Sequence, residues 1–340
     1  MSRALLVRSV GPGVTVQDLG REGFLAFGLS RGGAADCLAI AEGAVLLGQS
    51  GHLAALEMAG QGGRFEAEGD VRIALTGAPM RATIDGAAVQ WNASHMLKAG
   101  QVISIGAVTE GTYGYLHVGG GIATMPVLGS RSTQLTAGIG SLVRAGARLP
   151  IGAEEHEGGA TGLGLAVEDR FNGGRVRCVP SAQTGRFSAE TRTRFEATEF
   201  VRDLRGNRQG VRLNHGSAPF TAEGQLSIPS EIIVPGDIQI IGDGTPYVLL
   251  PECQTMGGYP RIGTVVPDDL PIVAQADPGV TLTFEFVTVD DALHWHRRNR
   301  QTVDELRKGL QRLVRDPRDM RDLLSYQLIG GVTSGDDSDS

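Results

Sequence analysis

The stretch G-D-I-Q-I-I-G-D-G-T-P-Y-V-L-L, residues 236–250, indicates the fold most directly. A turn glycine precedes an alternating run, a second glycine closes it, and a Gly-Thr pair opens another apolar run. Alternation with a period of two residues is typical of strands with one buried face, and glycine supplies the turns between them. The segment therefore predicts two consecutive β-strands joined by a glycine-rich turn.

The first half of the chain contains the same order of features. It reads G-Q-V-I-S-I-G at 100–106 and G-T-Y at 111–113. In both halves the second strand leads into a glycine-rich polar loop, which is Gly119–Thr133 in the first half and Glu252–Arg261 in the second. Because such self-similarity is the mark of repeated supersecondary units, we predict two similar β-barrel subdomains.

Further short alternating runs between Leu53 and Val118 agree with a mainly β fold of the α+β type. Glycine, at 50 of 340 residues, is about twice as frequent as in an average domain, so turns must be common. Many short strands separated by Gly, Asp and Pro favour a barrel or sandwich over a doubly wound sheet. Two helices are expected, at 34–47 with Asp36 in the first turn and at 188–195 with Ser188 as N-cap.

We divide the chain by composition and periodicity. Strand-rich halves flank a stretch rich in Gly, Glu and Ala, and an apolar stripe at helical spacing follows them. The predicted parts are a first β subdomain at 1–151, a linker or surface loop at 152–174, a second β subdomain at 175–290, a C-terminal helical extension at 291–328 and a disordered acidic tail at 329–340.

Charge and composition exclude several classes of function. A net charge of −7 gives no indication of binding to nucleic acid or an anionic membrane through a basic face. Lysine occurs only at Lys98 and Lys308, so no phosphate-binding loop of the G-x-x-x-x-G-K-[ST] type exists. Three cysteines without a C-x-x-C spacing argue against a disulfide framework or a metal site. Because neither a signal peptide nor an apolar run of about 18 residues is found, we expect a cytoplasmic protein.

Polar groups concentrate in the loop that follows residue 250. It carries Gln254, Thr255, Gly257, Gly258 and Tyr259, which together offer an amide, a hydroxyl, a phenol and flexible backbone. Adjacent glycines allow close approach of another group, and the polar side chains can hydrogen-bond a small ligand. We therefore predict a binding site in this loop.

Loops of the first half provide a second set of candidates. Consecutive amides at Gly119–Gly121 can form an anion-binding concavity, and Arg131 could complete a carboxylate clamp. The alternatives are a β-bulge and a solvent-facing arginine. Asp18, Arg21 and Asp36 lie on one glycine-punctuated loop, where Asp36 could also simply complement a helix dipole.

Taken together, these blocks resemble the biotin-dependent carboxyltransferase family. The resemblance rests on V-Q-D-L-G-R-x-G, G-A-x-D, G-G-G-I, L-G-S-R-S-T, G-V-R-L, P-S-E-I-I-V-P-G-D-I-Q-I and Q-T-x-G-G-Y-P, in order over roughly residues 3–290. Members include the C subunit of 5-oxoprolinase, KipA-type proteins and part of urea amidolyase. The chain departs from the family pattern at Pro251-Glu252-Cys253, where A-D-x is common, and at Ala35, where methionine is common.

The resemblance implies two cyclophilin-like β-barrels and a hydrolase complex that opens 5-oxoproline to L-glutamate at the expense of ATP. The expected partners are a KipI-like protein as the B-type subunit and a LamB/YcsF-like protein as the A-type subunit, with ATP bound in the complex and no cofactor on this chain. Within this frame Arg131 or Arg21 would clamp the substrate carboxylate, and Asp36 or Asp18 would orient an arginine or exchange a proton. The expected substrate-binding residues are Gly120, Gly121, Ser132, Thr133, Gln239, Gln254, Thr255, Gly257, Gly258 and Tyr259.

Two other functions stay open at this point. One is a carboxyltransferase that moves carboxylate from carboxybiotin to urea or another small amide. Biotin would then be carried by a partner, because the chain has no A-M-K-M attachment motif. The other is a non-catalytic regulator that binds a KipI-like protein.

Overall fold

The computed structural model describes residues 3–155, 158–224, 228–300 and 306–313. The first half is strand-rich with one long helix, as its alternating runs predict. Its elements are β1 (Ala4–Val10), β2 (Thr15–Gln17), α1 (Cys37–Leu47), β3 (Ala55–Ala59), β4 (Gly63–Ala67), β5 (Val71–Gly77), β6 (Met80–Ile84), β7 (Ala87–Val89), β8 (Ala93–Leu97), β9 (Val102–Val108), β10 (Tyr113–Val118), β11 (Arg148–Pro150) and β12 (Leu163–Leu165).

These strands form two sheets that share one hydrophobic core. The first has the order β11-β1-β4-β9-β6-β7, and the second contains β2-β3-β10-β5-β8-β12. Leu5 and Phe65 from the first sheet and Leu56, Ile73 and Leu116 from the second are fully buried in that core. Alternate residues therefore point inward from both sheets, as the period of two predicts.

The second half closes into a barrel. Its elements are β13 (Gly174–Val179), α2 (Ala189–Glu196), β14 (Phe200–Asn207), β15 (Gly210–Asn214), β16 (Glu231–Ile232), β17 (Asp237–Ile240), β18 (Pro246–Leu249), β19 (Met256–Gly257), β20 (Arg261–Val265), α3 (Leu270–Gln275) and β21 (Thr281–Phe286). The barrel order is β13-β20-β17-β18-β15-β14-β21, while β16 and β19 pair separately. The mainly β class is confirmed.

Helix α1 begins three residues later than predicted. The Asp36 side chain accepts a hydrogen bond from Ala39 N, so Asp36 is the N-cap and lies outside the first turn. The reason is tertiary: Ala35 N donates to Glu57 Oε2 and Asp36 N donates to the Tyr115 hydroxyl, which keeps this segment extended. The second helix prediction is confirmed, since Ser188 caps α2.

The C-terminal part differs from the predicted helical extension. Helix α4 (Val289–Arg300) is present, but β22 (Leu310–Arg312) is a strand that pairs with β12 at the edge of the second sheet. Leu310 and Leu306 pack on Leu46, Leu47 and Leu165, so burial of this apolar stripe decides the conformation. The remaining predicted helix, to 328, and the predicted tail at 329–340 lie outside the described residues.

The stretch 152–174, predicted as a linker, also differs from that prediction, because it contains β12. The division of the chain into subdomains stays a prediction.

The internal parallel holds for the turns but not for the pairing of strands. Gly100 and Gly236 both precede their strands with positive φ, at 80° and 95°. However, β17 pairs directly with β18, whereas β9 and β10 lie in different sheets. The similar local sequence therefore specifies the same kind of turn before each strand but does not fix which strands pair.

Candidate functional site

A cleft of about 330 Å³ opens beside the loop that follows β10. Its walls come from β2, from the loop 124–133 and from the segment 139–149. They combine apolar side chains with hydroxyls and two arginines. The lining residues are Val16, Thr124, Met125, Val127, Ser130, Arg131, Ser132, Thr133, Ile139, Gly140, Ser141, Leu142, Val143, Arg144, Ala147 and Leu149.

Arg131 is the predicted clamp residue that lies in this cleft. Its Nε atom is buried and has no hydrogen-bond partner among the described residues. A buried donor without a partner costs free energy, and an anion in the cleft would supply the missing acceptor. Arg144 lines the same cleft, and no acidic side chain is among the described residues that form it. The cleft is thus suited to a small anion.

Asp18 holds the Arg131 loop in place. Its Oδ1 accepts hydrogen bonds from Ser130 Oγ (2.6 Å) and Ser132 Oγ (2.5 Å), and its Oδ2 accepts one from Arg131 N (2.7 Å). Gly20 N donates to the same carboxylate. With its oxygens engaged in this way, Asp18 is arranged to orient the arginine backbone and not to exchange a proton with a ligand in the cleft.

Arg21 lies behind the cleft and is buried. It donates to Ser132 O (2.5 Å), Gln134 Oε1 (3.1 Å) and Val127 O (3.4 Å). Burial lowers the pKa of Arg21, and the charges of Asp18 and Glu252 act against that shift. Because its guanidinium is already occupied by protein acceptors, Arg21 joins two loops and is not placed to clamp a substrate.

A buried ionic network connects this region to the second half of the chain. Arg208 Nε contacts Glu252 Oε1 at 2.6 Å, Arg208 Nη1 contacts Glu57 Oε1, and Arg208 Nη2 donates to Gly33 O at 2.5 Å. The second oxygen of Glu252 accepts a hydrogen bond from Leu135 N at 3.1 Å. Glu252, where the family pattern has Asp, therefore positions loops from both halves.

Asp36 lies in a neighbouring buried network. Its Oδ2 accepts from Arg170 Nε (2.7 Å) and from Gln275 Nε2 (2.8 Å), while both Arg170 Nη atoms contact Glu42. Burial opposes the charge of Arg170, but Asp36 and Glu42 outweigh it and raise its pKa. Asp36 caps α1 and holds α3, away from the cleft, and so its position gives no support to a catalytic role.

Gly120 and Gly121 use their amides inside the protein. Gly120 N donates to Gln49 Oε1 at 3.0 Å and Gly121 N donates to Val118 O at 2.9 Å. Gly120 lines a recess of about 40 Å³ that is separate from the Arg131 cleft. These amides are therefore not free to stabilise an oxyanion in this conformation.

The loop 254–259 lies on the barrel of the second half and outside the Arg131 cleft. Gln254 and Gly258 are exposed, Tyr259 is 48% exposed, and Thr255 O accepts a hydrogen bond from Ile233 N. Gln239 is buried below it, and its Nε2 has no hydrogen-bond partner among the described residues; a Cβ added at Gly257 would lie 2.6 Å from that atom. Close approach to Gln239 explains this glycine, and a ligand role for the loop stays a prediction.

Nucleophilic and metal chemistry find little support in the described residues. Cys253 is buried, and burial raises the pKa of its thiol to about 12, so this thiol is not activated. The segment G-L-S-R-G at 28–32 fits the G-x-S-x-G pattern, but Ser30 Oγ is buried and donates to Pro251 O. Within the described ranges no cluster of His, Cys, Asp or Glu is arranged to hold a metal, and no helix there is long and apolar enough to cross a membrane.

Sequence reasoning missed Arg144, Glu57, Arg208 and Arg170. Glu57 carried a usable signal, because it is the one charge in the run Ala55–Met58 at a position that packs inward. Arg208 stands in a hairpin and Arg170 in the segment predicted as a linker, where an arginine normally faces solvent. Their partners are distant in sequence, and only the folded chain brings them together.

Comparisons with known proteins give a consistent picture. The sequence matches the carboxyltransferase domain, subdomain A and B, over residues 27–286. It is 33% identical to the C subunit of 5-oxoprolinase from Escherichia coli (strain K12) over 306 residues, which are 89% of this chain and 97% of that protein.

Solved structures share the fold. The crystal structure of TTHA0988 matches with a TM-score of 0.75 at 29% identity, over 84% of this chain and 56% of that chain. The chain thus spans little more than half of that relative. The urea amidolyase of K. lactis matches with a TM-score of 0.77 over 92% of this chain and 21% of that chain, and at 22% identity this likeness concerns the fold alone.

Proposed function

The chain belongs to the family of carboxyltransferase domains built from subdomains A and B, and on that premise we propose that it is the C-type subunit of a 5-oxoprolinase-type complex. Its identity to the C subunit of 5-oxoprolinase, over nearly the whole length of both proteins, supports this proposal. The complex would hydrolyse the lactam of 5-oxoproline to L-glutamate with consumption of ATP.

The observation that carries the proposal is the unpaired Arg131 in a cleft without acidic lining among the described residues. 5-Oxoproline is a small lactam with one carboxylate. Arg131 would bind the carboxylate, and apolar walls such as Val16 and Leu149 would contact the ring. Asp18 fixes the backbone of the loop that carries the arginine, so that loop would be in place before the substrate binds.

Other steps would belong to partners. A lactam carbonyl is a poor electrophile and must be activated, yet Gly120 and Gly121 have no free amide to stabilise an oxyanion. The chain has no phosphate-binding loop of the G-x-x-x-x-G-K-[ST] type, so it does not offer that mode of ATP binding. We assign ATP binding and carbonyl activation to the two partners, the LamB/YcsF-like protein and the KipI-like protein.

Reconstitution tests this proposal. The purified chain is mixed with the A-type and B-type partners, 5-oxoproline and ATP, and L-glutamate is measured with and without each component. We expect glutamate only when the three proteins and ATP are present. Glutamate formation that does not change when this chain is left out would overturn the proposal.

A second candidate is the carboxyltransferase activity that gives the family its name. The same arginine could bind the carboxylate of carboxybiotin on a carrier protein. Avidin distinguishes the two, because it blocks a route through biotin and leaves 5-oxoproline hydrolysis unchanged. Tight binding of a KipI-like protein without turnover of any lactam or amide would instead indicate a regulator.

A further inference from the structure

The turn at the edge of the Arg131 cleft has an unusual residue at its tip. Val127 and Ser130 exchange two backbone hydrogen bonds, of 2.8 and 3.2 Å, so Leu128 and Gly129 form a two-residue loop. Both central residues have positive φ, 52° at Leu128 and 80° at Gly129. Turns of this type favour Asn-Gly or Gly-Gly, because a branched or bulky side chain is disfavoured at positive φ.

Leu128 has no compensating burial. It is 48% exposed, although it holds a strained backbone position. The other non-glycine residues with positive φ in the described chain are Asp85 and Asn92, types that tolerate this conformation. A leucine held here, where asparagine would fit with less strain, indicates that its side chain is needed for a contact outside the chain.

Neighbouring side chains extend this apolar feature. Met125 is 84% exposed, Val127 43% and Leu142 40%, and all three line the Arg131 cleft. We call Met125, Val127, Leu128 and Leu142 the apolar rim. Arg144 is exposed beside the rim. Its guanidinium forms no hydrogen bond or ion pair with the described residues. Exposed apolar side chains and an exposed cation therefore occur together at the edge of one cleft.

We propose that the apolar rim is the docking surface for the KipI-like partner of the proposed complex, with Leu128 as its anchor. The partner would present an apolar recess for Leu128 and a carboxylate for Arg144. Docking there would cover the open side of the cleft and exclude water from a bound anion. This inference rests on the proposed function for the identity of the partner.

Charge favours such a partner over a second copy of this chain. In a two-fold dimer formed through the rim, each copy would contribute the same surface, with its Arg144 and Arg131, to the contact. The rim and the described residues that line the cleft include no acidic side chain that could pair with Arg144 of the other copy, whereas an acidic group on a different protein would supply one. A carboxylate beside an apolar recess is therefore the chemistry that complements this surface.

Replacement of Leu128 by asparagine separates docking from folding. Leu128→Asn keeps the turn and relieves its strain, so we expect a higher melting temperature together with binding to the purified KipI-like partner that is weaker by about tenfold or more. Binding is measured by calorimetry with the full chain. Leu204→Asn is the matched control, since Leu204 is 84% exposed on β14 and should leave the affinity unchanged.

Three results would overturn the inference. They are an unchanged affinity of Leu128→Asn, a lower melting temperature that shows a role in the fold, or self-association of the chain alone that Leu128→Asn abolishes. The proposed function fails separately, if the KipI-like partner binds through Leu128 but no glutamate forms. Conversely, if the Leu128→Asn variant forms glutamate and binds the KipI-like partner with wild-type affinity, the docking surface is rejected and the proposed function is not.

Discussion

Replacement of Arg208 by methionine removes the cation that joins the two halves of the chain. The side chain is 10% exposed and contacts Glu57, Glu252 and the carbonyl of Gly33. Methionine fills much of the same volume without charge. Two buried carboxylates then lose their counter-ion, and a backbone carbonyl loses its donor.

The expected loss of stability follows from the two carboxylates and the carbonyl that lose their partner. Breaking a buried ion pair by removing one partner costs about 3–5 kcal/mol, because the remaining charge stays desolvated. At roughly 2–4 °C per kcal/mol, this lowers the melting temperature by about 6–20 °C. Burial opposes the charge of Arg208, but Glu57 and Glu252 outweigh it and raise its pKa, so the guanidinium is charged throughout the accessible pH range.

Calorimetry and urea unfolding measure the effect. Arg205→Met is the control, because Arg205 makes a comparable ion pair with Asp203 but is 72% exposed, and it should change the midpoint little. Adding Glu57→Gln and Glu252→Gln to Arg208→Met should restore most of the lost stability, since no buried charge is then left unpaired. If Arg208→Met unfolds like the wild type, or if the triple variant is the least stable, the network does not hold the halves together as described.

Two further predictions concern the contact between α1 and β10. Gly43→Ala should destabilise the protein by about 1–3 kcal/mol in urea unfolding, because a Cβ at this position would overlap the His117 ring, even though alanine normally favours a helix. Gly185→Ala is the control, because a Cβ added there has no described atom within 4 Å. If Gly43→Ala is as stable as Gly185→Ala, this packing is contradicted. Burial lowers the pKa of His117 to about 3, so the stability it contributes is present above about pH 6.5 and is lost as pH falls toward 3. The stability advantage of the wild type over His117→Gln should therefore shrink by roughly 2 kcal/mol between pH 6.5 and pH 5, and an advantage that is constant with pH would count against a neutral buried imidazole.

The sequence predicts local structure well where one segment contains the whole signal. The alternating runs give the strands β3, β5, β9 and β10, and Ser188 gives the start of α2. The prediction from sequence fails where residues distant in the chain determine the local structure. The start of α1 depends on Glu57 and Tyr115, and the conformation of 310–312 depends on the exposed edge of β12.

In the candidate site, too, some residues are predicted from their local sequence and others depend on contacts between distant loops. Residue type and loop context predict Arg131 as a binding residue, the family resemblance adds Ser132 and Thr133, and all three line one cleft. Asp18 and Arg21 are predicted beside them, but their hydrogen bonds assign them to the loops behind it. Whether a charged side chain faces a ligand or a carbonyl of its own chain is decided by contacts between loops, and a single sequence does not contain that information.

The most direct test of the account is the dependence of glutamate formation on Arg131 in the reconstituted complex. Arg131→Gln removes the charge that would bind the substrate carboxylate, a contact worth about 1.5–3 kcal/mol. The substitution does not alter the buried ion pairs of Arg208, which stabilise the fold. We predict that kcat/KM for 5-oxoproline falls by roughly 10- to 150-fold, while the melting temperature does not fall and the affinity for the KipI-like partner is unchanged. Wild-type kcat/KM in Arg131→Gln would contradict the assignment of this cleft as the substrate site.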